Sequence, residues 1–196
     1  EISNLVNTFI NGGTDYGSLN LKIVGTFGYT AFASGSGTSA NPYRLFNFAS
    51  GNRKVNLDFT NCSQISIEVD GVYVWAFVGE VNVNGLNLVA TGTTSGSSIR
   101  VFNSNVVCEN SRFWINGYTT SYIAQEGTFT NCRGSVSNAA GNSYCFLNTD
   151  VLRVNGGTYL SYTGSSSLRS AIVGQSAANS VSILYGVNAP TVARTD

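Results

Sequence analysis

Two carboxylates, Glu126 and Asp150, each stand five residues before an asparagine, Asn131 and Asn155, inside a motif that recurs along the chain. Paired carboxylates are the usual machinery of glycoside hydrolysis. One protonates the leaving oxygen while the other attacks or activates water, at separations of about 5–5.5 Å for retention or about 6.5–9.5 Å for inversion. Glu80, four residues before Asn84, belongs loosely to the same place in the motif. Counted from the strand that precedes it, Glu126 aligns with Asn103 and Asn148 instead, so the register of this pair stays open. A second acidic pair, Glu68 and Asp70 in SIEVDG, reads as solvated surface, with Arg53 and Lys54 available for charge balance.

Holding a glycan without cutting it asks for aromatic platforms beside neutral hydrogen-bonding groups. Trp114, Tyr118 and Tyr122 lie in FWINGYTTSY, and Tyr159 and Tyr162 in GGTYLSYTG. These five are the candidate ligand-binding residues, with core packing as the competing use, for Tyr122 especially. The chain has no His, which removes His-based proton transfer, Ser-His-Asp triads and the usual zinc sites. It has no CxxC pair and no phosphate-binding glycine turn ahead of a helix, so neither a metal nor a cofactor is expected. Ten basic residues balance ten acidic ones, so nucleic acid is not an expected partner. No apolar run reaches about 18 residues, so no membrane insertion is expected. The start, EISNLVNTFI, lacks the basic and apolar regions of a signal peptide.

The elements that would position these groups follow from a repeat. Segments of the form apolar-x-apolar-x-Asn-small occur around Asn61, Asn84, Asn110, Asn131 and Asn155, at steps of 23, 26, 21 and 24 residues, with a looser copy at Tyr185. A second family lies between them: YRLFN, VYVWAF, IRVFN, YIAQE, YCFLN and AIVGQ. Each repeat therefore holds about three short strands with Gly/Ser/Asn-rich bends between them and no room for a helix. Only 10% of residues are charged, which suits a turn-rich all-β chain. The prediction is a single-stranded parallel β-helix of about seven coils over residues 19–187, in one domain spanning 1–196, with an antiparallel sandwich as the alternative. Ile2, Leu5, Val6, Phe9 and Ile10 fall on one face of a helix over residues 1–12 that would cap the first coil. Residues 188–196 read as a tail.

In such a coil, equivalent positions stack about 4.8 Å apart. The column Asn61, Asn84, Asn110, Asn131, Asn155 is expected to be structural, closing a bend by hydrogen bonds to backbone and to itself. That discounts the glycosylation sequon Asn61-Cys62-Ser63. The next position reads Cys62, Gly85, Ser111, Cys132, Gly156 and Gly186, a slot for small residues. Cys62 and Cys132, three coils or roughly 14 Å apart, exceed the reach of a disulfide, and Cys108 and Cys145 sit at other offsets. Four free thiols suit assembly inside a cell, as for a virion component. A second polar column reads Asn47, Asn103, Glu126, Asn148, Gln175. Beside it Arg44, Phe46, Phe48, Arg100, Phe102 and Leu147 read as an outward apolar stripe, which other copies of the chain would cover.

The irregular coils, the Asn and small-residue columns, the N-terminal capping helix and the sparse charge together resemble the pectate-lyase-like right-handed β-helix superfamily, and within it the trimeric tailspikes and tail fibres of bacteriophages. The resemblance implies a homotrimer on the virion that binds bacterial surface polysaccharide, with depolymerase activity as a further expectation. A secreted extracellular lyase or glycoside hydrolase, and a purely structural shaft, are the alternatives. Of the polygalacturonase signatures only Asn148-Thr149-Asp150 is present, and the pectate-lyase signature requires a His that this chain lacks.

Overall fold

The computed structural model describes residues 2–11, 18–27, 34–48, 54–69, 73–92, 96–138, 144–163, 166–169, 172–175 and 177–188. Among these residues the regular structure is β apart from one N-terminal helix, and the strands pair in parallel from one coil to the next. The first leg of the coil comprises β2 (Tyr43–Asn47), β4 (Tyr73–Val78), β7 (Ser98–Phe102) and β10 (Thr120–Tyr122), continued by the pair β13 (Phe146–Asn148) and β17 (Val173–Gln175). The second comprises β5 (Val81–Asn84), β8 (Val106–Glu109), β11 (Gly127–Thr130), β14 (Val151–Asn155) and β18 (Val181–Tyr185). The third comprises β6 (Asn87–Gly92), β9 (Arg112–Tyr118), β12 (Arg133–Asn138) and β15 (Thr158–Thr163). Two long strands, β1 (Ser18–Phe27) and β3 (Lys54–Val69), run through the second and third legs, joining them into one 12-stranded sheet. A short β16 (Ser166–Arg169) folds back antiparallel onto β15.

The chain is thus an all-β parallel solenoid. Four coils carry three separate strands each, with incomplete turns at both ends, against the expected seven. The three-strand repeat dictates this outcome. Strands of three to seven residues with one apolar face cannot close a core alone, so each coil buries its face against the next. The helix α1 (Ile2–Asn11) covers the first turn: Val6 is buried, Phe9 packs on the core, and Asn7 Nδ2 donates to Asn47 O at 3.0 Å. Leu5, expected on the covered face, is instead exposed, and the side chains of Ile2 and Ile10 lie outside the described residues.

The corner between the second and third legs corrects the asparagine column. Strand pairing sets Asn84 opposite Glu109, Glu109 opposite Thr130, and Thr130 opposite Asn155. The residues that turn the corner are therefore Gly85, Asn110, Asn131, Gly156 and Gly186, with φ of 70°, 50°, 53°, 67° and 62°. The corner needs the left-handed region, which glycine and asparagine tolerate best. Asn84 and Asn155 stand one residue earlier, while Asn61 lies inside the unbroken β3. There Asp58 opposes Asn84 and Ile65 opposes Leu88, so six residues occupy a corner that takes three in the next coil. A side-chain ladder does form over part of the column: Asn131 Nδ2 donates to Asn110 Oδ1 and Asn110 Nδ2 to Asn84 Oδ1, both at 3.0 Å. The slot after the corner holds Leu86, Ser111, Cys132 and Gly157, so its occupants are not uniformly small.

The first leg corrects the apolar stripe. Leu45 and Phe46, Ala76 and Phe77, and Val101 and Phe102 are buried as consecutive pairs, so alternation slips by one residue within each of these strands. Phe46, Phe48 and Phe102 therefore point into the core, and only Arg44, Arg100 and the half-buried Leu147 are left of that stripe. Inside, Phe46 stacks on Phe77 at 4.8 Å and Phe77 on Phe102 at 5.1 Å, starting a phenylalanine ladder along the axis. The second polar column is not continuous either. Val78 separates Asn47 from Asn103, and Asn148, opposite Gln175, is buried and donates to Val181 O and Ser182 Oγ.

Candidate functional site

The bend between the first and second legs gathers acid. Glu80, Glu126 and Asp150 stand just before β5, β11 and β14 on successive or nearly successive coils. Partial burial pushes the Glu126 carboxyl up, and the negative charges of Asp150 and Glu80 push it further in the same direction. Glu126 therefore lies within electrostatic reach of both Asp150 and Glu80. Pairing sets Gly127 opposite Leu152, which offsets Asp150 by one residue from the rung of Glu126. Among the described residues no group of acidic, Cys or His side chains is arranged to hold a metal ion.

A raised carboxyl in the folded state has a definite consequence. The folded chain holds the Glu126 proton more tightly than the unfolded chain does, so its contribution is fully present at acid pH and is lost as pH rises through its elevated range. Glu126→Gln removes that loss. The variant is expected to be more stable than the parent at pH 7, within about 0.5 kcal/mol as for other surface positions, and the gap is expected to close on acidification. Thermal melts of both proteins across the carboxylate range check this; a gap that widens toward acid would contradict the sign.

The five aromatic candidates do not come together. Trp114 is 55% exposed on the outer face of β9, whereas Tyr118 and Tyr159 are fully buried, with Tyr159 packed on Phe146 at 5.3 Å. Tyr118 and Tyr159 are therefore core side chains that present no ring face to solvent. Tyr122 belongs to the first leg, nearly buried against Arg100. The Tyr162 side chain, the Lys54 side chain, and residues Arg53 and Asp70 lie outside the described residues, as does the tail from 189 onward.

Sequence reasoning did not find the groove on the outer face of the second leg. Its volume is about 430 Å³. Two outward columns line it: Asn20, Asn56, Asn82 and Val107 in one, and Lys22, Asp58, Asn84 and Glu109 in the other. The first is an amide ladder, with Asn82 Nδ2 donating to Asn56 Oδ1 and Asn56 Nδ2 to Asn20 Oδ1, both at 2.7 Å. Asp58 accepts from Thr60 N at 3.0 Å, which, with Lys22 beside it, holds its carboxyl below the usual range. The signal was present in the sequence as alternate residues of SLNLK, KVNLD and VNVN, but only strand register turns such alternation into a column.

All four cysteines are free and buried. Cys108 and Cys132, which the sequence does not pair, touch across adjacent coils at an Sγ–Sγ distance of 3.9 Å, as unbonded thiols. Compared with protein-family models, with curated proteins and with solved structures, the chain matches none; what the structure shows is an architecture, the all-β parallel solenoid.

Proposed function

We propose that this solenoid binds bacterial surface polysaccharide, as a tailspike or tail-fibre domain of a phage virion would, and that the glycan lies along the groove of the second leg. The groove's two columns carry the reading. They offer amide donors and acceptors at one-rung intervals, already held in place by the Asn20–Asn56–Asn82 ladder, so little ordering is needed when a polyhydroxylated chain docks. The exposed Val107 supplies an apolar spot between polar groups. The homotrimer belongs to the same reading. Val181, Ile183 and Tyr185, exposed on β18, are the apolar surface that supports association between copies.

The test is titration of the protein with capsular and lipopolysaccharide preparations by calorimetry, beside the Asn56→Ala/Asn82→Ala double variant. Binding by the parent that weakens about tenfold or more in the variant, the equivalent of about 1.4 kcal/mol, is the expected result. Equal binding by both, or none by the parent, would sink the groove as the glycan site. A monomer mass in light scattering at micromolar concentration would remove the trimer.

A second reading, cleavage of the bound glycan, is favoured by one observation: partial burial and the neighbouring Asp150 and Glu80 raise the Glu126 carboxyl, as suits a group that donates a proton. If the pair cleaves, new reducing ends appear on incubation with the glycan, and Glu126→Gln slows their release by about 10²–10⁴. Release at the parent rate by both Glu126→Gln and Asp150→Asn would exclude the pair.

A further inference from the structure

The outward side chains of the first leg form a column that the groove and the acidic bend leave unused. Arg44, Trp75, Arg100 and Tyr122 follow one another rung by rung. They also stack as alternating cations and rings. The Arg44 guanidinium carbon lies 5.6 Å from the Trp75 ring centre, and that of Arg100 lies 5.2 Å from the same ring and 5.1 Å from the ring of Tyr122. The column alongside reads Tyr73, Ser98, Thr120, with Tyr73 exposed.

Neither column contains a carboxylate. The polar partners of both guanidiniums are neutral: Arg44 Nη1 donates to Asn41 Oδ1 at 3.2 Å, and Arg100 Nη1 to Asn103 Oδ1, with the Tyr122 phenol also in reach of Arg100. Arg100 Nε is buried with no acceptor. In a chain whose ten cations and ten anions balance, this face holds two guanidiniums without a carboxylate partner and one unmet donor among the described residues. A buried donor without an acceptor is costly, and an oxyanion that reaches it removes that cost.

We propose that this column is a docking strip for a carboxylate-bearing polysaccharide, a polymer of uronic acid or of alternating neutral and acidic sugars. The planar guanidinium fork matches a carboxylate edge to edge, and stacking on Trp75 and Tyr122 holds each fork in one orientation. Arg44 and Arg100 stand two rungs apart, roughly 10 Å at about 4.8 Å per rung. A pyranose is about one rung long, so the two forks meet acids on alternate sugars, with Trp75 at the sugar between them. Two guanidiniums neutralise too few phosphates to hold a nucleic acid. The inference takes only the polymer class from the preceding reading, and it uses a different face of the coil.

The experiment uses the full chain carrying Trp114→Phe, which leaves Trp75 as the sole tryptophan of the two. Its fluorescence is followed during titration with polygalacturonate oligosaccharides, neutral dextran oligosaccharides, polyglutamate and a single-stranded oligonucleotide. A saturable change with polygalacturonate alone is expected, weakening about tenfold in Arg44→Gln and in Arg100→Gln while circular dichroism stays unchanged. Arg112→Gln, exposed on β9, is expected to leave the polygalacturonate response unchanged, and titration of the Asn56→Ala/Asn82→Ala protein with capsular and lipopolysaccharide preparations tests the groove separately, so the strip stands or falls apart from it. Arg44 is the less embedded of the two arginines, and its variant keeps the test open if Arg100→Gln does not fold. No saturable signal, an equal response to dextran, tighter binding of polyglutamate or the oligonucleotide, or unchanged affinity in Arg44→Gln would each overturn the proposal.

Discussion

Truncating Phe129 to alanine is expected to lower stability by about 3–5 kcal/mol, the range for buried aromatics cut to a methyl. Phe129 is fully buried on β11 and lies 6.1 Å from the Phe102 ring and 4.8 Å from that of Phe146. Its place in the ladder explains the size of the effect. Along the first leg the buried row runs Phe46, Phe77, Phe102, and then reaches Ala124, which bridges to Phe146 on the next coil. Alanine leaves a gap one ring wide in that row, and Phe129 fills it from the second leg. Its loss opens a cavity between coils that backbone pairing on both sides holds apart, so collapse is limited. Each coil of a solenoid contacts only its neighbours, so the break is expected to uncouple the coils before and after it. Urea unfolding checks both points: the midpoint falls, and the slope falls as the transition broadens. A change below about 1 kcal/mol would mean that the coils close over the site.

Gly157→Ala is expected to be comparably severe, at about 3 kcal/mol or more, because backbone strain and a steric clash add. Gly157 has φ of +92°, and a Cβ there would sit 2.0 Å from Cys132 O. That oxygen already accepts from Thr158 N at 3.2 Å. Relief would have to pull two coils apart at the corner and break this bond. The residue just before it behaves differently. Gly156, φ +67°, has nothing within 4 Å of a built Cβ, and Asn110 and Asn131 occupy its place in the preceding coils. Gly156→Asn is therefore expected to change stability by no more than about 0.5 kcal/mol. Thermal melts of the two variants side by side measure the contrast, and equal melting temperatures would show that the corner does not have this geometry.

That contrast also marks how far the sequence could be read. The spacing of LDFTNC, VNVNG, VVCEN, TFTNC and LRVNG was legible as a coil length, since a strand needs its apolar residues at every second position and a bend needs Gly or Asn. Which of two adjacent small residues makes the turn was not legible, because "NG", "NS" and "NC" satisfy one pattern while the left-handed residue is the asparagine itself at Asn110 and Asn131 and the residue after it at Gly85 and Gly156. The two TNC triplets show this most clearly. Asn131 turns a tight corner at φ 53°, whereas Asn61 runs through a continuous strand whose corner holds twice as many residues. The acidic bend was partly legible: Glu126, Asp150 and, more loosely, Glu80 share a place in the motif, and in the structure the charges of Asp150 and Glu80 act on the Glu126 carboxyl. The aromatic site was not. Tyr118 and Tyr159 look like Trp114 in a sequence, and burial alone separates them.

By itself, the sequence determined an all-β chain wound as a coil of three short strands, a helix at its front, and chemistry that runs without histidine. Those follow from local physics, namely alternation within a strand, turn propensity at a bend and the presence or absence of a side chain. Only the tertiary structure decided which residues face out together. Burial parity slips by one residue within β2, β4 and β7, and corner length varies from coil to coil, so neither can be counted across from one strand to the next. Stacking removed Phe46 and Phe102 from the surface and left Arg44, Trp75, Arg100 and Tyr122 in one column. It also aligned Asn20, Asn56 and Asn82 along a groove. Residues separated by more than 20 positions become neighbours at one rung's distance only once the backbone hydrogen bonds between coils have set their register.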